Sequence, residues 1–259
     1  MSSRIALVTG ATSGIGREYA YRLAERGWSI VCAARDAERL ASLCSDLPGS
    51  GHEMLVVDLA TEAGMDRASA RVMDDQQPVS LLVNAAGSGT SAPFPDASLA
   101  EEIQMLRVNV DAVLHLSYSA AHVMRSRGHG GIINVSSTAA YWSAGTYAAS
   151  KAWVLSATLG MRTQLEGTGV RVLAVAPGFT RTEFHTRSAT DATGVQPWLW
   201  LEPGQVVAES LAALGANRAV CIPGRRYRAL VEVVRHLPPG GRRSVLRQLA
   251  PLRGVTTET

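Results

Sequence analysis

IALVTGATSGIG, residues 5–16, joins a short apolar run to a glycine-rich turn, and a helix-like pattern follows it. Glycines let a backbone turn sharply and approach a pyrophosphate, and the first turn of a helix offers free N–H groups and a positive dipole end. A glycine-rich turn alone is weak evidence, because glycine also serves ordinary turns. Here the turn stands between a strand pattern and a helix pattern, which is the context that a dinucleotide site requires. We therefore predict that a dinucleotide contacts this turn at Gly10, Thr12, Ser13, Gly14, Ile15 and Gly16.

The same strand-then-helix order continues along the chain. Most of the apolar runs are uninterrupted, which is typical of strands that are covered on both faces. The alternation predicts a Rossmann-type, doubly wound parallel sheet with helices on both faces. The predicted strands are Ile5–Val8, Ile30–Ala34, Met54–Val57, Val79–Val83, Ile132–Val135, Val170–Val175 and Ala219–Ile222, and the predicted helices cover 15–26, 37–46, 62–74, 98–126, 147–165 and 204–214.

The sequence contains no internal repeat, low-complexity segment or linker that would mark a second domain. We predict a dinucleotide-binding and catalytic domain over residues 1–224, and an Arg-rich helical extension of the same domain over residues 225–259. The extension is expected to form one or two helices, separated at Pro238-Pro239-Gly240-Gly241. Three interpretations of its arginines stay open: a solvated helix face, a subunit contact, or a surface for an anionic membrane or an acyl-carrier protein.

Composition excludes several classes of protein. The chain has 259 residues, of which 46% are hydrophobic and 18% charged, a composition with ample material for a core. No apolar run reaches the roughly 18 residues that span a bilayer, and the first residues lack the pattern of a signal peptide. We therefore expect a cytoplasmic protein with no stable membrane insertion. Its three cysteines and six histidines lack metal-ligand spacing, so no metal is expected, and a net charge of +3 is too small to indicate nucleic-acid binding.

One lysine stands out, because the other 24 of the 25 basic residues are arginines. Lys151 follows Tyr147 by four residues on a predicted helix, so the two side chains share a face. Reduction of a carbonyl needs a proton donor, and a free tyrosine, with a pKa near about 10, is a poor one at neutral pH. A nearby ammonium favours the phenolate, which predicts a lowered tyrosine pKa. A serine hydroxyl would help to hold the substrate oxygen within reach.

The alternative interpretation is that Tyr147 and Lys151 are a chance pair, since this spacing is frequent. Although nearly every basic residue of the chain is an arginine, its single lysine stands at this position. An arginine would keep the charge but would replace a compact ammonium with a wide fork. That difference gives a chemical reason for the exception.

Taken together, these motifs resemble the short-chain dehydrogenase/reductase family over roughly residues 4–222. The resemblance implies a parallel sheet of about seven strands and catalysis by Asn109, a serine, Tyr147 and Lys151. Asp58 would bind the adenine amino group, Thr182 the nicotinamide carboxamide, and Lys151 the ribose hydroxyls, with Asn109 supporting a water-mediated proton path. The further cofactor-binding matches are Leu59, Asn84-Ala85-Ala86-Gly87, Pro177, Gly178 and Thr180.

The sequence departs from the family pattern in two places. The family's Asn-Asn-Ala-Gly is Asn84-Ala85-Ala86-Gly87 here, which removes one side-chain amide. The interval from the serine pair to Tyr147 is also shorter than usual, which leaves the choice between Ser136 and Ser137 to alignment. We choose Ser137, because the second serine of the pair is the family's usual catalytic position.

The form of the cofactor depends on the end of the second strand. NAD-specific sites place an acidic residue there, bonded to the ribose 2′-hydroxyl. The aligned position is Ala34, followed by Arg35, and a small residue followed by arginine suits the 2′-phosphate of NADP(H). The competing interpretation uses Asp36 as the acid and NAD as cofactor. We prefer Arg35, because Asp36 has the position of an N-cap for the next helix.

A small-molecule ketone or alcohol is the expected substrate. Three stretches would surround it, residues 88–94, 141–145 and 179–200, and their aromatic content favours a bulky or acyl-bearing ketone, although several tryptophans could simply pack the lid. By resemblance, a homodimer or homotetramer is expected. An NAD-dependent, hydroxysteroid-like alcohol dehydrogenase, a non-catalytic dinucleotide sensor, and a dehydratase or epimerase remain alternatives. The aromatic and bulky residues in question are Phe94, Tyr141, Trp142, Phe179, Phe184, Trp198, Leu199 and Trp200.

Overall fold

A computed structural model describes residues 4–142, 145–184, 188, 195–238 and 241. Seven parallel strands form one sheet in the order β3-β2-β1-β4-β5-β6-β7. Their bounds are Ile5–Thr9 (β1), Ser29–Ala34 (β2), Glu53–Val56 (β3), Val79–Asn84 (β4), Gly130–Val135 (β5), Val170–Val175 (β6) and Val220–Cys221 (β7). All the strands that the sequence predicts are present.

Helices connect the strands and cover both faces of the sheet. Their bounds are Gly14–Ala24 (α1), Ala37–Asp46 (α2), Glu62–Val72 (α3), Leu99–Leu106 (α4), Ala112–Arg127 (α5), Gly145–Gln164 (α6), Pro203–Gly215 (α7) and Arg225–His236 (α8). The sequence predicts one helix over 98–126, and the structure adds a π-helical turn, Arg107–Asp111, between α4 and α5. Short 3-10 turns cover Thr138–Tyr141 and Pro197–Leu199.

The order of the strands reverses beside β1, which pairs with β2 on one side and β4 on the other. At this switch point the connections leave toward opposite faces, and a crevice opens beyond the carboxyl ends of the strands, where ligands bind in folds of this kind. Thr9 and Asn84 are register partners at those ends. The glycine-rich turn follows Thr9 directly, so the fold places it at this crevice.

Each face of the sheet has its own hydrophobic core. Within β1, Ala6 and Val8 belong to the core under α1, α2 and α7, whereas Ile5 and Leu7 belong to the core under α3 and α5. Successive side chains of a strand point to opposite faces, so a strand covered on both faces must be apolar throughout. A slip of one residue in β1 would exchange the two sets, and the buried pattern therefore fixes the register.

Helix α8 packs against the first of these cores. Tyr227, Val231 and Val234 are buried, although the helix also carries five basic residues counting His236. Arg228 pairs with Glu209 of α7, with Nη1 and Oε2 2.8 Å apart. The beginning of the Arg-rich extension is thus an amphipathic helix of the same fold. Residues 239–240 and 242–259 of that extension lie outside the described residues.

Candidate active site

The turn between β1 and α1 is compact because it is built on glycines. Gly10 and Gly14 have φ of +67° and +52°, and a Cβ on Gly10 would lie 2.9 Å from the Cα of Ala86. A Cβ on Gly16 would collide with the carbonyl of Gly10. Ser13, the N-cap of α1, makes no side-chain cap hydrogen bond, so the N–H groups of the first turn remain available to an anion. These residues fit a pyrophosphate.

Thr9 fixes the neighbouring turn after β4. Its hydroxyl oxygen accepts hydrogen bonds from the backbone N–H groups of Ala85 (3.1 Å) and Ala86 (3.0 Å). The Asn84 side chain points inward instead, and its amide donates to Asn134 Oδ1 (2.9 Å) and Ser117 Oγ (3.2 Å). Asn84 Nδ2 is therefore occupied by contacts within the fold, and the contact of Asn84 with the cofactor stays a prediction. Sequence reasoning missed the role of Thr9, which only its position before the glycines could have signalled.

Tyr147 and Lys151 lie one turn apart on α6, as the spacing predicts. The Lys151 ammonium is buried, lies 5.8 Å from the centroid of the Tyr147 ring, and donates to the backbone carbonyl of Val135, 3.2 Å away. Gly87 also lies close to the lysine, because a Cβ built on it would lie 3.3 Å from Lys151 Nζ. The lysine thus sits between the catalytic helix, the end of β5 and the turn after β4.

The two serines after β5 differ in what they contact. Ser136 is buried, and its hydroxyl donates to the backbone carbonyl of Lys151 at 2.7 Å. Ser137 is only partly buried; its hydroxyl accepts from the N–H of Ala139 at 3.1 Å and interacts with the Tyr147 phenol. Ser137 is therefore the serine that reaches the tyrosine, while Ser136 supports the backbone of the lysine.

Asn109 lies inside the π-helical turn and is fully buried. Its Oδ1 accepts from the N–H of Ser88 (3.0 Å), and its Nδ2 donates to the carbonyl of Ser88 (2.9 Å) and to Ser150 Oγ (3.1 Å). The Ser150 hydroxyl in turn donates to the carbonyl of Tyr147 at 2.7 Å. Hydrogen bonds therefore connect Asn109 to the catalytic helix through Ser150, a residue that the sequence analysis did not identify.

Burial controls the pKa values of the central pair. Enclosure by protein raises the pKa of Tyr147 to about 12, and the interaction with Ser137 offsets part of that rise. Burial lowers the pKa of Lys151 to about 8. The expectation of a lowered tyrosine pKa is wrong in direction for the protein alone, because desolvation of the phenolate is the largest influence on that pKa.

The end of β2 presents the two residues that compete for the ribose. Among the described residues, the exposed Arg35 side chain has no hydrogen bond or ion pair, whereas the carboxylate of Asp36 accepts the backbone N–H of Arg39 at 3.0 Å and caps α2. The predicted N-cap is thus present. Arg39 itself reaches across to Glu183, with Nη2 2.9 Å from Oε1.

The loop after β3 carries the predicted adenine contacts. Asp58 is partly buried, and its carboxylate accepts the backbone N–H of Ala60 at 3.0 Å, while Leu59 is buried. The Asp58 carbonyl accepts the hydroxyl of Thr61 at 2.8 Å, which holds the loop against the start of α3. The second carboxylate oxygen of Asp58, Oδ2, has no hydrogen bond among the described residues and remains available to an amino group.

The segment after β6 lies against the glycine-rich turn. A Cβ on Gly14 would lie 2.9 Å from Thr182 Cγ2, so Thr182 borders the predicted pyrophosphate groove. The Pro177 carbonyl accepts from the N–H of Thr138 at 2.8 Å, and the buried Thr180 donates to the carbonyl of Gly178 at 3.0 Å. Gly178 is required, because the ring of Tyr227 from α8 occupies the place of a Cβ.

The predicted aromatic and bulky residues differ in where they lie: one packs beside the catalytic tyrosine, some are buried in the core, and others are exposed or line a pocket. Phe184 packs beside Tyr147, with ring centroids 5.6 Å apart. Phe179 and Trp200 pack against each other at 5.9 Å and against the core, and Leu199 is buried in it, so these three have the structural role. Phe94 and Trp198 are exposed, and Tyr141 and Trp142 line a pocket of about 380 Å³ beside α6. Residues 143–144, 185–187 and 189–194 of the predicted surroundings lie outside the described part of the chain.

No group of three or more His, Cys, Asp or Glu residues in the described ranges is arranged to hold a metal ion. Within the same ranges, no helix has the length and apolar character needed to cross a membrane.

Comparison with known proteins gives the family. The model of the family described as short chain dehydrogenase matches residues 4–193. The serine 3-dehydrogenase of Rhizobium radiobacter is 35% identical over 182 residues, which cover 69% of this chain and 72% of that protein. A short-chain dehydrogenase from Sphingobium yanoikuyae, solved in complex with NADPH, superposes with a TM-score of 0.82 over 98% of both chains at 29% identity. The bulky-bulky ketone specific alcohol dehydrogenase from Comamonas testosteroni superposes with a TM-score of 0.76 over 100% of this chain and 98% of that one, at 25% identity. The chain is therefore an oxidoreductase that belongs to the short-chain dehydrogenase family.

Proposed function

We propose that this oxidoreductase interconverts a ketone and a secondary alcohol with NADP(H) as its cofactor. The catalytic group consists of Ser137, Tyr147 and Lys151, and Asn109 supports it. The observation that carries the proposal is the convergence of the Ser137 hydroxyl and the buried Lys151 ammonium on the Tyr147 phenol, beside a turn that fits a pyrophosphate. A protein that only senses a dinucleotide has no need of such a proton donor.

Tyr147, Ser137 and Lys151 each have a separate role in the reaction at the substrate oxygen. Bound nicotinamide supplies or accepts a hydride. Tyr147, with a pKa of about 12, is protonated at neutral pH and gives its proton to the ketone oxygen. Ser137 donates a hydrogen bond to the same oxygen and holds it in reach. Lys151, with a pKa of about 8, is mostly charged at neutral pH and stabilises the phenolate that the proton transfer leaves behind.

Asn109 acts through its neighbours rather than on the substrate. Its side chain uses its amide groups on Ser88 and Ser150, so it fixes the turn after β4 and the catalytic helix relative to each other. The side chain has no bond to Lys151 in the protein alone, and a water would have to connect the two. A water-mediated proton path to Lys151, supported by Asn109, is therefore part of the proposal.

NADP(H) is preferred over NAD(H) because of the difference between Arg35 and Asp36. The guanidinium of Arg35 is exposed at the end of β2 and makes no contact with an acid in the described residues, so it is available to a 2′-phosphate. The Asp36 carboxylate already caps α2, and binding a ribose hydroxyl would compete with that cap. The related protein from Sphingobium yanoikuyae was solved with NADPH, which supports the same choice. An NAD-dependent alcohol dehydrogenase that uses Asp36 is the second candidate.

The substrate class is proposed to be a bulky apolar or acyl-type ketone. Phe184 forms an apolar wall beside the Tyr147 ring, which suits an aliphatic or aromatic substituent. The relatives differ in the substrates that their names give, serine in one case and a bulky-bulky ketone in the other. The ketone enzyme superposes over 100% of the chain, and its substrate suits the apolar wall better than serine does. We therefore favour the bulky ketone.

The protein is further proposed to act in the cytoplasm, where nicotinamide cofactors are supplied, and as a homodimer or homotetramer. Leu114 and Tyr118 of α5 are 44% and 71% exposed, and an exposed apolar face is typical of a subunit contact. Residues 1–224 and the extension over 225–259 are proposed to form one catalytic unit, because Tyr227 packs against Gly178.

Consumption of NADPH by the purified protein tests the proposal. The panel contains bulky ketones, β-keto esters and small aldehydes, with serine as an alcohol for the reverse direction, and each substrate is run with NADPH and with NADH. We expect reduction of bulky ketones with NADPH. Binding of NADPH without turnover of any substrate would favour the sensor, and a preference for NADH would favour the alcohol dehydrogenase.

A further inference from the structure

Tyr227 of α8 packs directly against the turn that follows β6. A Cβ built on Gly178 would fall within the ring of this tyrosine, closest to Cζ, so the hydroxyl end of the ring fills the space that a side chain would need. Tyr227 is only 4% exposed, and burial raises its pKa to about 12, which keeps the hydroxyl protonated and able to donate at neutral pH. The family model matches residues 4–193. The contact therefore joins a helix outside the matched residues to a turn inside them.

The hydroxyl of Tyr227 replaces one backbone bond in a short parallel ladder beside this turn. In that ladder the N–H of Arg181 donates to the carbonyl of Leu201 at 3.0 Å, and the N–H of Leu201 donates to the carbonyl of Phe179 at 2.8 Å. The next bond of a regular parallel ladder would join the N–H of Phe179 to the carbonyl of Leu199. Here the Tyr227 hydroxyl lies between these two groups. It accepts from the N–H of Phe179 at 2.9 Å and donates to the carbonyl of Leu199 at 2.7 Å.

The inserted hydroxyl fixes the distance between the two segments of the ladder. Without it, the N–H of Phe179 and the carbonyl of the buried Leu199 would either lose their partner or bond to each other directly. Loss of the partner costs free energy, because a group shielded from water has no substitute for it. A direct bond would draw Phe179, and with it Gly178, toward Leu199. In both cases the position of the turn depends on the hydroxyl.

This turn touches the loop that carries the proposed catalytic serine. The carbonyl of Pro177 accepts the N–H of Thr138 at 2.8 Å and the hydroxyl of Ser137 at 3.5 Å. Thr182, the predicted contact of the nicotinamide carboxamide, follows in the same segment and borders Gly14. A shift of the turn would therefore reach Ser137 on one side and the predicted nicotinamide site on the other.

We propose that Tyr227 is a positioning residue, whose hydroxyl holds the turn after β6 where the nicotinamide ring needs it. The inference rests on the proposed function, because it requires NADP(H) to bind with its nicotinamide beside this turn. Tyr227 acts through the turn and not on the reacting atoms. Such a role makes α8 part of the active site, since a displacement of about 1 Å far from the chemistry can reduce a rate on the order of a hundredfold.

Tyr227→Phe tests the proposal, because it removes the hydroxyl and keeps the ring against Gly178. The two probes are NADP⁺ and 2′-phospho-ADP-ribose, the fragment that remains when the nicotinamide base is removed. We expect the Kd of NADP⁺ to rise about threefold to tenfold in the variant, while the Kd of the fragment changes by less than about twofold. Calorimetric titration measures both constants without any turnover. The kcat for ketone reduction with NADPH should fall by about tenfold or more.

Tyr19→Phe is the matched control. Tyr19 is also a buried tyrosine of the same core, and its hydroxyl is hydrogen-bonded to Ser210 between α1 and α7. Both substitutions should lower the Tm, because each removes a buried hydrogen bond. Tyr19→Phe should nevertheless keep the wild-type ratio of the two Kd values. A general loss of stability would thus affect both variants, whereas a positioning role changes the ratio in Tyr227→Phe alone.

The same titrations separate this inference from the proposed function. If the NADP⁺ affinity depends on the Tyr227 hydroxyl as expected but no ketone is reduced, the positioning role stands and the proposed reaction fails. If ketones are reduced with NADPH but the ratio of the two Kd values is the same in wild type and Tyr227→Phe, the positioning role fails and the reductase stands. Equal weakening of NADP⁺ and the fragment gives that unchanged ratio and would likewise overturn the proposal.

Discussion

Arg39 and Glu183 form a bidentate ion pair that joins the first turn of α2 to the segment after β6. Nη2 of the arginine lies 2.9 Å and 3.1 Å from the two carboxylate oxygens, and Nη1 lies 3.2 Å from Oε2. The first turn of α2 comes shortly after Arg35, the proposed ligand of the cofactor's 2′-phosphate, and the segment after β6 carries Thr182, which borders Gly14. The pair therefore bridges the two sides of the proposed cofactor groove.

Removing either partner of this ion pair should let NADPH leave the proposed groove faster. Both side chains are more than two-fifths exposed, so their coupling is worth only about 0.2–1 kcal/mol. We predict that Arg39→Ala and Glu183→Ala each raise the dissociation rate of NADPH up to about fivefold, with the double variant no faster than either. Stopped-flow measurement of NADPH release from the three variants tests this. Slower release from Glu183→Ala together with faster release from Arg39→Ala would show instead that Arg39 binds the cofactor phosphate directly.

Tyr147→Phe should abolish turnover while leaving the fold intact. The substitution removes the hydroxyl that gives up the proton but keeps the ring against Phe184. We predict that kcat falls by about 10²–10⁴-fold and that the Kd for NADPH hardly changes. Tyr118→Phe is the control and should behave as wild type, because it removes a tyrosine hydroxyl far from the site and keeps the exposed ring that we assign to the subunit contact. More than a tenth of the wild-type kcat in Tyr147→Phe would remove the tyrosine from the mechanism.

Substitutions at the two adjacent serines should have different effects, one on activity and the other on stability. Ser137 reaches the phenol, so Ser137→Ala should reduce kcat by about 10²-fold with little change in Tm. Ser136 is buried and donates to the Lys151 carbonyl, so Ser136→Ala removes a buried hydrogen bond and should lower the free energy of unfolding by about 0.5–1.5 kcal/mol. Steady-state kinetics and thermal unfolding of both variants provide the comparison. The reverse order of the two kcat values would assign the catalytic role to Ser136.

The strands, their parallel order and the two catalytic helix positions could be predicted because they depend on local patterns. An uninterrupted apolar run identifies a covered strand, and a four-residue spacing places Tyr147 and Lys151 on one face. Contacts between distant segments leave no such pattern. Ser150 lies 41 positions from Asn109, and Glu183 lies 144 positions from Arg39. Nothing in the local sequence of either residue identifies its partner.

The pKa of the tyrosine shows a second reason for a wrong expectation. The direction depends on the balance between the attraction of Lys151 and the loss of hydration, and the sequence indicates only the first of these. The orientation of Asn84 could not be predicted either, since nothing in the local sequence shows that its Nδ2 donates to Asn134, and its contact with the cofactor stays a prediction. Burial and orientation are properties of the packed chain, so residue type alone cannot supply them.

The stability of the cofactor-free protein should rise with pH because of Lys151. The pKa of this lysine is about 8 in the fold, against the ordinary value of 10.5, so between these values the unfolded chain binds more protons than the native one. The lysine therefore destabilises the fold below pH 8 and does so less as the pH rises toward 10. Tyr147 acts in the opposite sense, but only from about pH 10 to 12, because its pKa is raised. Between pH 8 and 10, the effect of the lysine on stability can therefore be measured without that of Tyr147.

Lys151→Met provides the comparison for this pH effect. We predict that the free energy of unfolding of wild type minus that of the variant rises by up to about 3 kcal/mol from pH 8 to 10. Taking the difference removes the contribution of the three cysteine thiols, which are common to both proteins. Denaturant unfolding at several pH values gives the measurement. A constant difference across this window would mean that Lys151 keeps an ordinary pKa in the fold.

Arg35 should set the preference for NADPH over NADH. A charge-assisted contact with the 2′-phosphate is worth about 1.5–3 kcal/mol, or roughly tenfold to over a hundredfold in affinity. NADH lacks that phosphate, so Arg35→Ala should reduce kcat/KM for NADPH by this factor and leave NADH nearly unchanged. Adding Ala34→Asp should repel the phosphate and offer a carboxylate to the ribose, which moves the preference toward NADH.

Asp36→Ala is the informative control, because loss of the α2 cap should lower the stability by about 1 kcal/mol without changing the ratio of the kcat/KM values for the two cofactors. If Asp36→Ala instead weakens NADH, and Arg35→Ala reduces kcat/KM equally for both cofactors, then Asp36 is the ribose ligand. The enzyme would in that case be an NAD-dependent alcohol dehydrogenase, since a carboxylate at the 2′-position excludes the phosphate by charge.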